Sequence, residues 1–279
     1  MSQSERSILI TGCSTGIGLA AAQTLKLRGW RVLATARRPE DLDRLEREHG
    51  LEALPLELKD EKSIARCAEE VLRRTDGRLY ALYNNAAYGA IGAMEDITAG
   101  VLRDQLEVNV IAVNELTRHV VPAMRRAGRG RIVMCSSVLG FISGPYRGPY
   151  SASKFALEAL SDALRLELQG SGIHVSLLEP GPIESHFLAT TLSAFTSQIE
   201  MQHSPHREAY ERRLADMRSG NAKGGRFKLG PDAVVGKLVD ALESPRPRAR
   251  YRIGIMTKGA NVLKRLLPDV LLDRILARM

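Results

Sequence analysis

Short, continuously apolar runs alternate along the chain with longer stretches whose apolar residues recur at helical spacing. That alternation predicts a mostly parallel sheet covered by helices on both faces. Ser7–Thr11 reads as the first strand, and its lack of polar positions marks it as buried on both sides. Further strands are expected at Arg31–Ala36, Leu51–Leu58, Tyr80–Tyr83, Arg131–Cys135, His174–Glu179 and Tyr251–Gly254. Helical patterns fall between them at Gly16–Arg28, Pro39–His49, Glu61–Thr75, Ala99–Ala127, Tyr150–Gln169 and Pro231–Glu243. Pro39 suits a first helical turn, and Gly170 and Gly172 stop the helix before them. The irregular stretch 184–226 mixes Phe187, Leu188, Phe195, Ile199, Met201, Leu214 and Met217 with charges, and reads as a lid with short helices. The tail, 260–279, repeats Leu263, Leu266, Leu267, Val270, Leu271 and Ile275 at helical spacing around Pro268. It is predicted to pack against the lid or a neighbouring subunit. With neither an internal repeat nor a low-complexity linker, residues 1–279 read as a single α/β domain.

Composition leaves this picture in place: 44% hydrophobic and 26% charged residues suit a soluble globular chain. The polar start at Met1 and the lack of a bilayer-length apolar run predict a cytoplasmic protein. Cys13, Cys67 and Cys135 lie far apart without a CxxC, so free, buried thiols are expected. His203 and His206 lack a ligand set at zinc spacing, and no metal is predicted. The net charge of +8 resides in residues 221–279, which hold 13 Lys/Arg against 5 Asp/Glu. Such a face could draw a phosphate-bearing substrate, an acidic partner or an anionic membrane surface; plain solvation is the simpler reading. Without a nucleic-acid motif or an aromatic-interleaved basic stripe, nucleic-acid binding is not expected.

Chemistry enters at the strand ends. Thr11-Gly12-Cys13-Ser14-Thr15-Gly16-Ile17-Gly18 joins the first strand to the first helix. Glycines there let a pyrophosphate approach the backbone, and a helix N-terminus supplies amides and the positive dipole end. The second strand ends in Ala36-Arg37-Arg38 with no acid, which favours the 2′-phosphate of NADP(H) over the free ribose of NAD(H). Glu57 and Leu58 end the third strand, Asn84-Asn85-Ala86-Ala87 the fourth, Ser136-Ser137 the fifth and Pro180-Gly181-Pro182 the sixth. Asn109 sits on an apolar helical face, where its amide must find partners. Tyr150 and Lys154 are one helical turn apart, so the two side chains share a face. A nearby ammonium favours an ionised phenol. An isolated YxxxK arises readily by chance; its place after Ser137 and behind a glycine loop gives it weight.

Together, TGCSTGIG, NNAA, Asn109 in LEVNV, Ser136–Ser137, YSASK and PGPIES resemble the short-chain dehydrogenase/reductase family over nearly the whole chain. The branch with 17β-hydroxysteroid dehydrogenases is the most similar. The resemblance implies a Rossmann-type, doubly wound seven-stranded sheet in the order 3-2-1-4-5-6-7 and a homodimer or homotetramer. It implies Tyr150 as general acid/base, with Lys154 holding the nicotinamide ribose and lowering the tyrosine pKa. Ser137, at the family's spacing to Tyr150, would bind the substrate oxygen, and Asn109 would position a relay water. Gly12, Ser14, Gly16, Ile17 and Gly18 would form the phosphate loop, Arg37, seconded by Arg38, would meet the 2′-phosphate, and Asn85 and Ala86 would face the adenosine side. Pro180, Gly181, Ile183 and Ser185 would meet the carboxamide. Three departures stand out: Ala87 where glycine is usual, Glu57 where aspartate is usual at the adenine, and Ser185 for threonine.

The expected activity is NADP(H)-dependent hydride transfer to or from an apolar ketone, aldehyde or secondary alcohol. Two alternatives remain: a β-ketoacyl thioester reductase whose phosphate-bearing carrier uses the basic tail, and a non-catalytic NADP(H)-sensing binding protein.

Overall fold

The computed structural model describes residues 6–184, 187–218 and 228–277. Its strands are β1 (Ser7–Ile10), β2 (Arg31–Ala36), β3 (Glu52–Pro55), β4 (Ala81–Asn84), β5 (Gly130–Cys135), β6 (Ile173–Pro180) and β7 (Arg250–Ile253). They form one seven-stranded sheet in the order β3-β2-β1-β4-β5-β6-β7, and every neighbouring pair is parallel. The expected "mostly parallel" sheet is thus parallel throughout. After β3 the chain returns past β1 to lay β4 on its other side. Loops leaving the C-terminal ends of β1 and β4 therefore diverge and open a crevice, the usual ligand position in such sheets.

The helices are α1 (Gly16–Leu27), α2 (Pro39–Arg47), α3 (Glu61–Arg74), α4 (Ala99–Leu106), α5 (Ala112–Arg126), α6 (Gly148–Glu167), α7 (Phe187–Gln198), α8 (Arg207–Arg218), α9 (Asp232–Glu243), α10 (Ile255–Leu266) and α11 (Asp269–Leu276). Strand residues alternate between two cores, as a period of two requires. Ile8 and Ile10 pack with Ala21 and Leu25 of α1 and Val234 and Leu238 of α9. Leu9 and Leu82 face the other way, onto Ile64 and Val71 of α3 and Leu116 and Val120 of α5. The three cysteines are free and buried, as expected.

Three expectations change. The single helix foreseen at Ala99–Ala127 is α4 and α5 joined by a π-helical turn, Glu107–Ile111, which holds Asn109. Helix α6 begins at Gly148, before Tyr150, because Pro149 fits a first turn. The tail forms α10 and α11 on either side of Pro268, but Val262, Leu266 and Val270 face solvent instead of packing on the lid. Its anchor is polar: Lys264 donates to the Phe141 carbonyl. Among the described residues no helix is long and apolar enough to cross a membrane.

The lid has its own small core of Ala93, Phe195, Ile199, Tyr210 and Leu214. It leaves and rejoins the body at one place, where Ile183 bridges Leu229. The Glu184 amide donates to the Leu229 carbonyl at 2.8 Å, and the Leu229 amide to the Pro182 carbonyl at 3.1 Å.

Candidate active site

The glycine loop is folded on itself. Gly12 and Gly16 take φ of +71° and +59°, the left-handed region that suits glycine. A Cβ on Gly18 would lie 2.1 Å from the Gly12 carbonyl oxygen, so only glycine lets α1 start so close to the loop. Asn85 and Ala86 brace the loop from β4. Both amides donate to Thr11 Oγ1 at 2.9 Å, and Asn85 Nδ2 donates to the carbonyls of Thr11 at 3.0 Å and Gly12 at 3.3 Å. Ala87 is tolerated because, among the described residues, only Asp76 and Tyr146 take positive φ without being glycine. Thr15 makes no side-chain capping bond and the first turn of α1 carries no acid. Its amides are therefore left to an incoming anion. Burial pushes the Cys13 thiol up to about 12, leaving it inert at neutral pH.

Arg37 and Arg38 separate in space. Arg37 is 72% exposed at the end of β2 and only loosely faces Glu57, at 3.8 Å. Arg38 turns back and donates to Asp41 at 2.8 Å, away from a cofactor role. Arg44 bonds the same Asp41 at 2.8 Å and the Ser14 carbonyl at 2.7 Å, tying α2 to the glycine loop. Glu57 accepts the Lys59 amide at 3.1 Å, and Leu58 is buried in the second core. Ile17 packs against the first core. Pro180 ends β6, and the Gly181 amide donates to Ile253 at 3.1 Å. Ser185 lies outside the described residues.

Ser137, Tyr150 and Lys154 meet at the end of β5. Ser137 Oγ accepts the Leu139 amide at 3.1 Å, which holds its side chain in place. Burial pushes the Tyr150 phenol above its ordinary value; a hydrogen bond from Ser137 and the Arg147 charge pull it back. The Tyr150 ring lies 5.4 Å from that of Phe187 on the lid. Lys154 is buried, and burial lowers its pKa. Its amine donates to the Cys135 carbonyl at 2.7 Å and stands 5.6 Å from the Tyr150 ring centroid. Ser137 and Arg147 act on the phenol, while the Lys154 amine meets the strand end.

Asn109 is 1% exposed. Its carboxamide accepts the Tyr88 amide at 3.2 Å and donates to the Tyr88 carbonyl at 2.9 Å and Ser153 Oγ at 3.1 Å. Gln105, one turn earlier, also bonds the Tyr88 carbonyl, at 2.9 Å, and the Ala90 amide, at 2.5 Å. The pair clamps the chain leaving β4 against α6. Asn109's side chain thus ties the Tyr88 backbone to Ser153 of α6.

Sequence reasoning missed the lid seam. Asp96 Oδ2 accepts the hydroxyls of Ser204, at 2.6 Å, and Tyr210. His206 bonds Glu95 at 2.6 Å and Tyr146 Oη at 3.0 Å. It also missed Arg147 and Arg213. Arg147 stands three residues before Tyr150, a helical spacing that was readable; Arg213 lay hidden among the charges of the lid. Among the described residues no group of His, Cys, Asp or Glu is arranged to hold a metal.

A glycine loop after β1 and a Ser–Tyr–Lys set at the C-terminal edge of a parallel sheet are the arrangement of an α/β oxidoreductase. The model of the short chain dehydrogenase family matches residues 6–194, and the chain belongs to that family. It is 43% identical over 272 residues to the oxidoreductase YbbO of Escherichia coli (strain K12), covering 98% of this chain and 94% of that one. It is 33% identical to human 17-beta-hydroxysteroid dehydrogenase type 1, covering 88% and 76%. A crystal structure of actinorhodin polyketide ketoreductase with NADPH superposes with a TM-score of 0.72 at 30% identity, covering 90% and 96%.

Proposed function

We propose that the protein is an NADP(H)-dependent oxidoreductase that interconverts an apolar ketone or aldehyde and its alcohol. One observation carries this reading: a half-buried tyrosine, acted on by Ser137, lies beside a buried lysine and against Phe187 of the lid.

The residues fit such a cofactor. The uncapped first turn of α1 and the positive-φ glycines form a cradle for a pyrophosphate. Arg37, exposed and weakly paired, is available to a 2′-phosphate, which suits a planar guanidinium. The Lys154 amine, which donates to the Cys135 carbonyl, has donors left for ribose hydroxyls. When bound, the nicotinamide supplies or accepts the hydride. In reduction, Ser137 donates a hydrogen bond to the carbonyl oxygen while the Tyr150 phenol gives that oxygen its proton. In oxidation the phenolate takes the alcohol proton. The lid's Phe187 and the Ile91, Phe195 and Leu214 lining cover the apolar remainder and exclude water. The NADPH-bound ketoreductase relative supports the cofactor choice.

The test is NADPH oxidation with a panel of carbonyls by wild type and Tyr150→Phe. The variant is expected to lose roughly 10²–10⁴-fold in kcat while binding NADPH with nearly wild-type affinity. Wild-type turnover in Tyr150→Phe would overturn the reading, as would a wild type that reduces nothing.

A further inference from the structure

Two guanidinium groups stand at the mouth of this site, and the proton donor needs at most one of them. Arg147 precedes α6 and is fixed there, its carbonyl accepting the Ser151 amide at 2.9 Å. Its spacing puts it on the face that Tyr150 shares, and its charge is felt by the phenol. Arg213 comes from α8 on the lid. Its guanidinium carbon lies 4.4 Å from the centroid of Tyr146, the residue next to Arg147. It lines a small pocket with Ile91, Gly92, Phe195 and Leu214.

The two charges act on each other. Arg147 keeps contact with solvent, yet enough protein surrounds it that burial, followed by the charge of Arg213, lowers its pKa. Burial lowers that of Arg213 as well, with Tyr146 and Asp216 acting against it. The acid whose charge acts on Arg213 is Asp216, three residues along α8. The acids of the lid seam are committed elsewhere: Glu95 to His206, and Asp96 to Ser204 and Tyr210. Residues 219–227 contain no Asp or Glu. Tyr146, between the two, has φ of +65°, a strained conformation that tends to be kept at binding sites. Its carbonyl is pinned by the Gly92 amide at 2.9 Å.

Like charges brought together beside a cleft repel, and an anion between them removes that cost. Planar guanidinium forks match an oxyanion better than ammonium groups would. We propose that Arg147 and Arg213 form a receptor for an oxyanionic group, a carboxylate, sulfonate or phosphate, that the substrate carries a few bonds from its reacting carbonyl. This rests on Tyr150 as the proton donor. The substrate is then amphiphilic: its acidic head lies between the arginines and its apolar part beneath the lid.

The experiment compares NADPH-dependent reduction of a medium-chain γ-keto acid, its methyl ester and the neutral ketone of the same length. Sulfonate and phosphonate analogues of the acid rank the head groups. Wild type is expected to favour the acid over the ester by about tenfold or more in kcat/KM, with the advantage shrinking as salt rises. Arg213→Met and Arg147→Met are each expected to cut that ratio about tenfold; any effect of Arg147 on the phenol cancels, because both substrates share it. Arg213→Lys and Arg147→Lys keep part of the ratio, which separates lost charge from lost fold. Calorimetric binding of the saturated carboxylic acid, which has no carbonyl to reduce, should weaken in Arg213→Met. Equal use of acid and ester by wild type, or a ratio that survives both Met substitutions, overturns the receptor and leaves the reductase reading intact. A wild type that reduces none of the compounds overturns both.

Discussion

The Lys154 amine stands 5.6 Å from the centre of the Tyr150 ring and donates its 2.7 Å hydrogen bond to the Cys135 carbonyl. The ammonium thus stands beside the tyrosine and at the end of β5. The groups that bring down the tyrosine's pKa are Ser137 and Arg147, against a larger opposing effect of burial.

A pH dependence follows. Reduction needs the protonated phenol and oxidation the phenolate, so oxidation should rise with pH as reduction falls. Arg147→Gln removes a charge that stabilises the phenolate. Its pKa therefore rises, and the ascending limb of the oxidation profile moves to higher pH. Rate profiles of wild type and variant with one alcohol check this. A limb that stays put or moves to lower pH would contradict the assignment.

Cofactor preference should divide between two adjacent arginines. Arg37→Gln is expected to raise KM for NADPH by about tenfold or more and to leave NADH unaffected. Arg38→Gln should act on stability instead, because its partner is Asp41. Steady-state kinetics with both cofactors, alongside melting curves, separate the two.

Gly18→Ala should cost stability before it costs chemistry. The added methyl carbon would lie 2.1 Å from the Gly12 carbonyl oxygen, and backbone on both sides leaves little room to give. Overpacking of this kind costs about 1–3 kcal/mol or more. A denaturant titration measures the loss. Unchanged stability would mean that the loop shifts freely.

The lid seam makes a prediction about motion. Burial alone would raise the Asp96 carboxyl, but hydrogen bonds from Ser204 and Tyr210 and the charge of His206 outweigh it, and its pKa is lowered. For an acid so shifted, the stabilisation is present above its ordinary value of 3.8 and is lost as pH falls below it. Asp96→Asn should mimic that loss at neutral pH. Faster amide exchange in α8, with the sheet unchanged, is the expected result.

Much of this was legible from pattern alone, for identifiable reasons. The strands are buried on both faces, so their apolar runs were continuous, and the glycine loop announced itself because close backbone approach leaves no other residue type. Ser137, Tyr150 and Lys154 were found because their spacing is set by one strand end and one helical turn. What stayed hidden depends on how the chain folds. Arg38 and Asp41 pair only once α2 has formed, Asn109 closes on Tyr88 through a π-helical turn that no periodicity shows, and Arg213 reaches Tyr146 from 67 residues further along the chain. The tail's apolar spacing predicted helices correctly but could not say what, if anything, covers them.

The bridge between Ile183 and Leu229 joins the two ends of the lid at its root. A chain excursion that starts and finishes at the same spot leaves the strands that bear it in place whatever its length. Lengthening it is cheap, since doubling a flexible loop costs only about 0.6 kcal/mol. Helices α7 and α8 therefore form an exchangeable cassette, and new substrate pockets can be tried by descent or by grafting while Tyr150 and the glycine loop stay untouched. In such a protein the choice of substrate and the chemistry performed on it are inherited separately.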